Sequence, residues 1–328
     1  MKTVFYLLIL SLIVFQGCHF GTSTTWKNDE IPSELRSEIA EIDKKLVKCV
    51  YSNDAAGMKA LMSDELVKQT ADNIDSLIAQ VCALIDSKKY RIIDQFYTKT
   101  SVNTMNKIGS GDTDNDSYII EYLALNNEVF VSLLALSGRH DEILATCIYG
   151  KYPDGWKLNI LQFGQYTINH MTAPQLYFKA KEQYNNGYLV DAANNMFLCS
   201  VVSKPGNEFW QYKNVKEMKD FHEKIVSEIQ NQYVFPLTIE EVSTKPQILD
   251  IGLQDIEEGF FPMINYLTTI RLEDTLSTKA ENDKINEVIG KYFKGIDLEK
   301  KYLFYKAMNG IPDGKTPLPS YGFVKELR

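Results

Sequence analysis

The run Val129-Phe130-Val131-Ser132-Leu133-Leu134-Ala135-Leu136 constrains the fold more than any other stretch of this chain. It is rich in β-branched and aromatic residues and lies between the turn signals Asn126-Asn127 and Ser137-Gly138-Arg139-His140-Asp141, so it reads as a strand. Successive strand residues point to opposite faces. In a sheet with one wet face they therefore alternate apolar and polar. Here both sets are mostly apolar, and residues 119–125 have the same texture. Such a sheet must be covered twice, by helices on one face and by another domain or subunit on the other. A cavity against one face is the alternative outlet for that apolar surface. Plain burial is the ordinary one.

The segments around this run suit that demand. Pro32-Ser33-Glu34 opens a helix that continues through Leu35, Ile39, Ile42, Leu46 and Val50 at helical spacing. Ser52-Asn53-Asp54 ends it and caps a short second helix with Met58, Leu61 and Met62. A third helix is expected from about Asp72 to Ser87. The period then changes, and strands are expected at 90–100, 118–125, 128–137, 142–150 and 156–168. Short separators such as Tyr152-Pro153-Asp154-Gly155 make antiparallel hairpins the economical pairing.

Helices on a curved antiparallel meander over 30–170, with Asp54 and Leu61-Met62-Ser63 early and Gly155-Trp156-Lys157-Leu158 in the last hairpin, resemble the SnoaL-like (nuclear transport factor two-like) cone. The resemblance implies an α+β unit whose interior is either filled or holds a small molecule. No catalytic motif of that family is matched, so it assigns no catalytic residue and no cofactor.

Ala173-Pro174 starts a helical connector at 173–232. Leu176, Ala180 and Tyr184, then Gly187-Tyr188, Ala192, Met196, Cys199 and Pro205, resemble one tetratricopeptide-type helix pair. A single pair is too few for a free-standing solenoid, so it reads as a connector rather than a peptide groove. A third helix, Val215 to about Gln232, follows, and Phe209-Trp210-Gln211-Tyr212 supplies bulky packing between them. From 233 to 328 the expected order is three strands (234–243, 247–255, 260–272), a helix at about Lys279 to Phe293, a strand at Leu298 to Met308, and an edge strand at Tyr321 to Leu327. That order makes a small α+β layer.

Few residues concentrate chemistry. Asp112, Asp114 and Asp116 fit the first ligand positions of a calcium loop, but Ser117 replaces the required Gly and Leu123 the bidentate Glu, leaving a solvated acidic loop. His140-Asp141 would form an acid/base pair only if both faced a pocket; adjacent residues at a hairpin tip read as surface. Cys147 and His170 are a nucleophile and base by type, with nothing in their spacing to join them. Glu257-Glu258 reads as a wet corner, and Phe260-Phe261-Pro262 as core or a contact cluster. No C-x-x-C and no paired histidines are present, so no metal site is expected. Cys49, Cys82, Cys147 and Cys199 lie in apolar periodic segments and read as buried thiols, a Cys49–Cys82 bridge being the alternative.

The N-terminus supplies an address. Lys2 precedes an apolar run from Val4 to Val14, too short to span a bilayer, and Phe15-Gln16-Gly17-Cys18 ends it. With Gly17 before Cys18 the stretch resembles a bacterial lipoprotein signal. The resemblance implies removal of residues 1–17, lipidation of Cys18, a tether at 18–29, and, with His19 rather than Asp after the cysteine, the periplasmic side of the outer membrane. Removal takes the formal net charge from −8 to −9, because Lys2 is the only charge lost. No basic block exists, which excludes nucleic acid as a partner and a polybasic hold on lipid. The function expected is non-enzymatic binding of a protein or small ligand by an envelope lipoprotein, attached to the membrane only through its lipid. The alternative is a small-molecule enzyme using acid/base residues inside the cone.

Overall fold

The computed structural model describes residues 23–327, apart from 71, 72, 112–114, 314 and 316. The fold is α+β. In chain order the elements are β1 (Thr24–Lys27), α1 (Ser33–Tyr51), α2 (Ala55–Leu61), α3 (Asp64–Thr70), α4 (Ile74–Leu84), β2 (Ile85–Lys99), β3 (Thr104–Gly109), β4 (Tyr118–Ala124), β5 (Glu128–Gly138), β6 (Glu142–Tyr152) and β7 (Gly155–Gln165). There follow α5 (Ala173–Asn185), α6 (Leu189–Val201), β8 (Trp210–Tyr212), α7 (Val215–Gln232), β9 (Leu237–Thr238), β10 (Gln247–Ile256), β11 (Gly259–Leu267), α8 (Thr275–Tyr292), β12 (Tyr302–Met308) and β13 (Ser320–Glu326). The strands form three sheets, ordered β1-β2-β5-β6-β7, β3-β4-β8 and β13-β12-β11-β10-β9.

The doubly apolar β5 is covered on both faces by this same chain. Its even-numbered residues Phe130, Leu134 and Leu136 join Ile39, Leu46 and Val50 of α1 and Ile78 and Val81 of α4 in one core. Its odd-numbered residues Val129, Val131, Leu133 and Ala135 join a second core with Ile120 and Tyr122 of β4, Leu176 and Ala180 of α5, Met196 of α6 and Ile225 of α7. The helical connector therefore shares a core with the first sheet. Ala180 and Ala192 are fully buried where α5 meets α6, and Gly187 supplies the left-handed turn between them at φ +79°.

Strand β4 departs from the expected meander. Asn126-Asn127 reads as a hairpin turn into β5, yet β2 pairs directly with β5, and β4 pairs with β3 and β8 in a separate sheet. The two asparagines act as cross-links: Asn126 donates to the Lys151 carbonyl at 3.1 Å and Asn127 to the Thr100 carbonyl at 3.2 Å. β4 also alternates after all, with Tyr118, Ile120, Tyr122 and Ala124 buried and Leu123 exposed. Trp210 of β8 stacks on Tyr118 of β4 within this small sheet at a ring separation of 3.8 Å.

Other boundaries shift for local reasons. Residues 24–27, expected within a flexible tether at 18–29, pair as β1 with the far end of β2, and Trp26 stacks on Tyr97 at 5.3 Å. Lys27 then meets the buried Asp94 carboxylate at 3.0 Å, and Asn28 donates to it at 2.7 Å. The third helix is α4, which ends at Leu84 because Ile85 already belongs to β2, and an unforeseen short helix, α3, precedes it. The unforeseen β3 is an edge strand. In the C-terminal part the strand expected at 234–243 shrinks to the two residues of β9, and the remaining order holds. There β11 and β12 run parallel, joined through α8, whose Ile285 and Ile289 pack on Ile264, Tyr266, Leu303 and Tyr305. β13 is the edge strand expected.

Candidate functional site

The first wall of the site is a turn between β7 and α5. Asp141 holds that turn. Its carboxylate accepts from the Thr167 hydroxyl at 3.0 Å, the Asn169 amide at 3.0 Å and the His170 amide at 2.7 Å. Asn169 and His170 take left-handed φ values of 52° and 60°, which Asn and His tolerate better than most side chains. The turn aims the Asn169 carboxamide at the β10–β11 hairpin. Its oxygen accepts from the Phe260 amide at 2.8 Å and its nitrogen donates to the Phe260 carbonyl at 3.3 Å. Gly259 is required there: its φ is +125°, and a Cβ would lie 2.4 Å from the Asn169 oxygen.

The second wall is a buried ion pair. Asp191 sits in the first turn of α6, where the helix N-terminus favours an acid. Lys300, after α8, approaches it at 2.9 Å and also donates to the carbonyls of Gly295 at 2.7 Å and Ile296 at 3.0 Å. Burial pushes the Asp191 carboxyl up to about 6, against the pull of Lys300. The same burial lowers the Lys300 ammonium, against the pull of Asp191. Both shifts report ions removed from water and only partly compensated by each other.

Between these walls lies a cleft of about 270 Å³ bordered by α5, α6, the β10–β11 hairpin and the segment after α8. Its polar lining includes Lys179, Gln183, Asn194 and Asn195, with Glu258, Glu299 and Lys301 opposite. Met171, Leu198, Leu253, Phe260 and Phe261 are its apolar part. Lys179, Lys300 and Lys301 balance Asp191, Glu258 and Glu299 in formal charge. Asn195 donates to Gln183 at 2.6 Å, whereas the Asn194 amide nitrogen is shielded from solvent and has no hydrogen-bond partner among the described residues.

The structure redistributes the residues singled out in the sequence. Glu258 and the cluster Phe260-Phe261-Pro262 line the cleft, so neither is only a wet corner or only core. His140 and Asp141 do border a cavity, of about 450 Å³, beside Asp255, Ile256 and Phe260. Asp141 is nevertheless committed to its turn, and the imidazole it meets is that of His170, with Nδ1 at 3.6 Å. Cys147 is fully buried in the core beneath α1–α4, while the His170 side chain is 84% exposed, so these two do not meet. Asp112 and Asp114 of the calcium-like loop lie outside the described residues. Asp116 accepts from the Thr172 hydroxyl at 2.8 Å. Among the described residues no three His, Cys, Asp or Glu side chains group as a metal site.

Cys49, Cys82, Cys147 and Cys199 are unbridged, and Cys82 is only half-buried, contrary to its expected burial. Desolvation raises the Cys49 and Cys147 thiols and pushes Cys199 up to about 12, so these three are neutral thiols rather than ready nucleophiles.

One acid/base cluster was not legible in the sequence. Asp43 of α1 is fully buried against the sheet, accepting from the Ser132 hydroxyl at 2.8 Å and the Tyr149 hydroxyl at 2.7 Å. Burial outweighs both hydrogen bonds and pushes its carboxyl up to about 6. The same burial, with Cys147 and Asp43 nearby, raises Tyr149 well above its ordinary value. A carboxyl with that affinity can exchange a proton near neutrality. Asp43, Ser132, Tyr149 and Cys147 have no solvent-exposed surface, and none lines the cleft or the cavity beside Asp141. The heptad-like period of α1 hid Asp43 because the acid occupies a core position.

The signal segment and Cys18 lie outside the described residues. Among those described, no helix is long and apolar enough to cross a membrane. No family model matches the chain, and no curated protein or solved structure matches it.

Proposed function

We propose that this chain is an exported, lipid-anchored binding protein that holds a neutral, hydroxyl-rich ligand of monosaccharide size in the cleft between α5–α6 and the C-terminal sheet. The lining itself carries this reading: the side-chain amides of Asn169, Gln183, Asn194 and Asn195 border the cleft together with balanced charges. Carboxamides and carboxylates exchange hydrogen bonds with hydroxyls in both directions. The rings of Phe260 and Phe261 offer the apolar face of a sugar a surface. Equal numbers of lysines and carboxylates give no net field to select an ion, and about 270 Å³ falls just below the usual range of ligand pockets.

Thermal unfolding against a panel of neutral sugars and their phosphorylated counterparts tests the site. A neutral sugar at a hundredfold excess over its dissociation constant should stabilise the protein by about 2.7 kcal/mol. Asn194→Leu should abolish that gain. A response only to phosphorylated sugars, or one that Asn194→Leu leaves intact, overturns the assignment.

The anchor rests on the sequence Gly17-Cys18 after a short apolar core. The lipid would be its only membrane attachment, and β1, from Thr24 to Lys27, takes part of the segment expected as tether. Radiolabelled fatty acid should enter the parent chain and not Cys18→Ala. An unlabelled parent removes the anchor and leaves the cleft reading untouched.

A further inference from the structure

A third cavity, of about 220 Å³, lies between α6 and α7 and shares no lining residue with the cleft. Met196 and Cys199 stand three residues apart on α6, and Met218 and His222 four apart on α7, so each pair shares one helix face. All four side chains line this cavity. Met196 and Cys199 are 1% exposed and Met218 3%. The Cys199 sulfur is 3.7 Å from the Met218 sulfur, its one hydrogen-bond-range contact among the described residues. Two sulfurs each about 2.3 Å from a shared tetrahedral ion stand about 3.8 Å apart. That separation is also ordinary sulfur contact, and methionine fills many cores.

We propose that this cavity is a binding site for a soft monovalent metal ion, copper(I), ligated by Cys199, Met218, Met196 and His222. Thiolate and thioether donors select copper(I) over harder ions. No carboxylate lines the cavity, and Lys204 and Lys219 at its border disfavour a divalent cation. On binding, the Cys199 thiol releases its proton to solvent as the copper–sulfur bond forms. The added charge is thereby neutralised, and no electron is transferred.

The test is anaerobic competition between the reduced full-length protein, in detergent, and a chromophoric copper(I) chelator, with X-ray absorption on the loaded protein. One equivalent should be retained, with copper–sulfur scattering at about 2.3 Å. Cys199→Ser should weaken retention by at least the ~10–100-fold that loss of an outer-shell partner costs a metal site. Met218→Leu, nearly unchanged in volume, should also weaken it while leaving the thermal unfolding midpoint in place. Cys18→Ser and Cys82→Ser should change nothing. Copper lost entirely to the chelator overturns the proposal, as does retention that survives both Cys199→Ser and Met218→Leu. If Cys199→Ser does not fold, Met196→Leu combined with Met218→Leu decides the matter by the same measurement.

Discussion

Lys300→Met should destabilise the protein by about 3–5 kcal/mol at pH 7, read as a lower midpoint in urea. The substitution keeps the aliphatic stem and removes the ammonium 2.9 Å from Asp191, leaving a carboxylate that is 95% shielded without its partner. The carbonyls of Gly295 and Ile296 lose a donor at the same time. Acid should reduce the deficit. Asp191 already needs a pH above about 6 to ionise with Lys300 beside it. Without that ammonium it holds its proton to higher pH still, so lowering the pH neutralises the stranded charge. Pairing Lys300→Met with Asp191→Leu should recover most of the loss, because a buried ion pair is often replaceable by apolar side chains at little or no cost. A deficit that persists in the double variant would assign the effect to the two carbonyls rather than to the ion pair. Sugar binding in the cleft provides a second readout, since both residues line it.

The elements that could be read directly are those whose pattern is local and long. α7 begins and ends where its helical period does, and the β10–β11 hairpin turns at Asp255 to Gly259 as its composition implies. β5 announced that it needs two covers, helices on one face as α1 and α4 supply, but not that β4 and the helical connector would form the other. The misread elements share a physical cause. β1 has four residues and β8 three, too few to display a period of two. β4 was paired by its turn chemistry, whereas Trp210 and Tyr212, about ninety residues later in the chain, complete its sheet. Tertiary pairing overrode a local turn signal.

The cleft was still less legible because its residues are distant in sequence. Asn169, Asn194, Phe260 and Lys300 meet only after the helical pair and the C-terminal sheet have docked. Of these, only Phe260 stood out beforehand, as part of an aromatic cluster. Asn194 sits on a helix whose apolar period dominates the sequence pattern. Of the four donors between α6 and α7, Met196 and Cys199 read only as part of the helix pair, and Met218 and His222 did not stand out.

Moving from pH 7 to pH 4 should increase stability in the regions that contain Asp43 and Asp191. Both carboxyls are pushed from 3.8 to about 6 in the fold, chiefly by burial. A raised acid binds its proton in the folded chain before the unfolded chain does. Its stabilising contribution is therefore complete below about 4 and lost as the pH rises through 6. The differential is on the order of 2–3 kcal/mol for each group. Exposed acids such as Glu41 and Asp154, lowered by Lys44 and Lys157, act in the opposite sense, but solvent screens those pairs. Asp43→Asn isolates one contribution. The carboxamide retains an acceptor, and the Ser132 and Tyr149 hydroxyls can turn to suit it. The variant should be more stable than the parent at pH 7, no more stable at pH 4, and should flatten about half of the pH slope. An unchanged slope would show that Asp43 does not titrate in this window. The same variant separates binding from acid/base chemistry in the cone. A natural acid that lowers stability at neutral pH is the kind of cost that accompanies a catalytic group. If Asp43→Asn stabilises the fold and leaves sugar binding in the cleft unaltered, the cleft works independently of Asp43. If binding is lost although the fold is stabilised, the buried acid and the cleft belong to one mechanism.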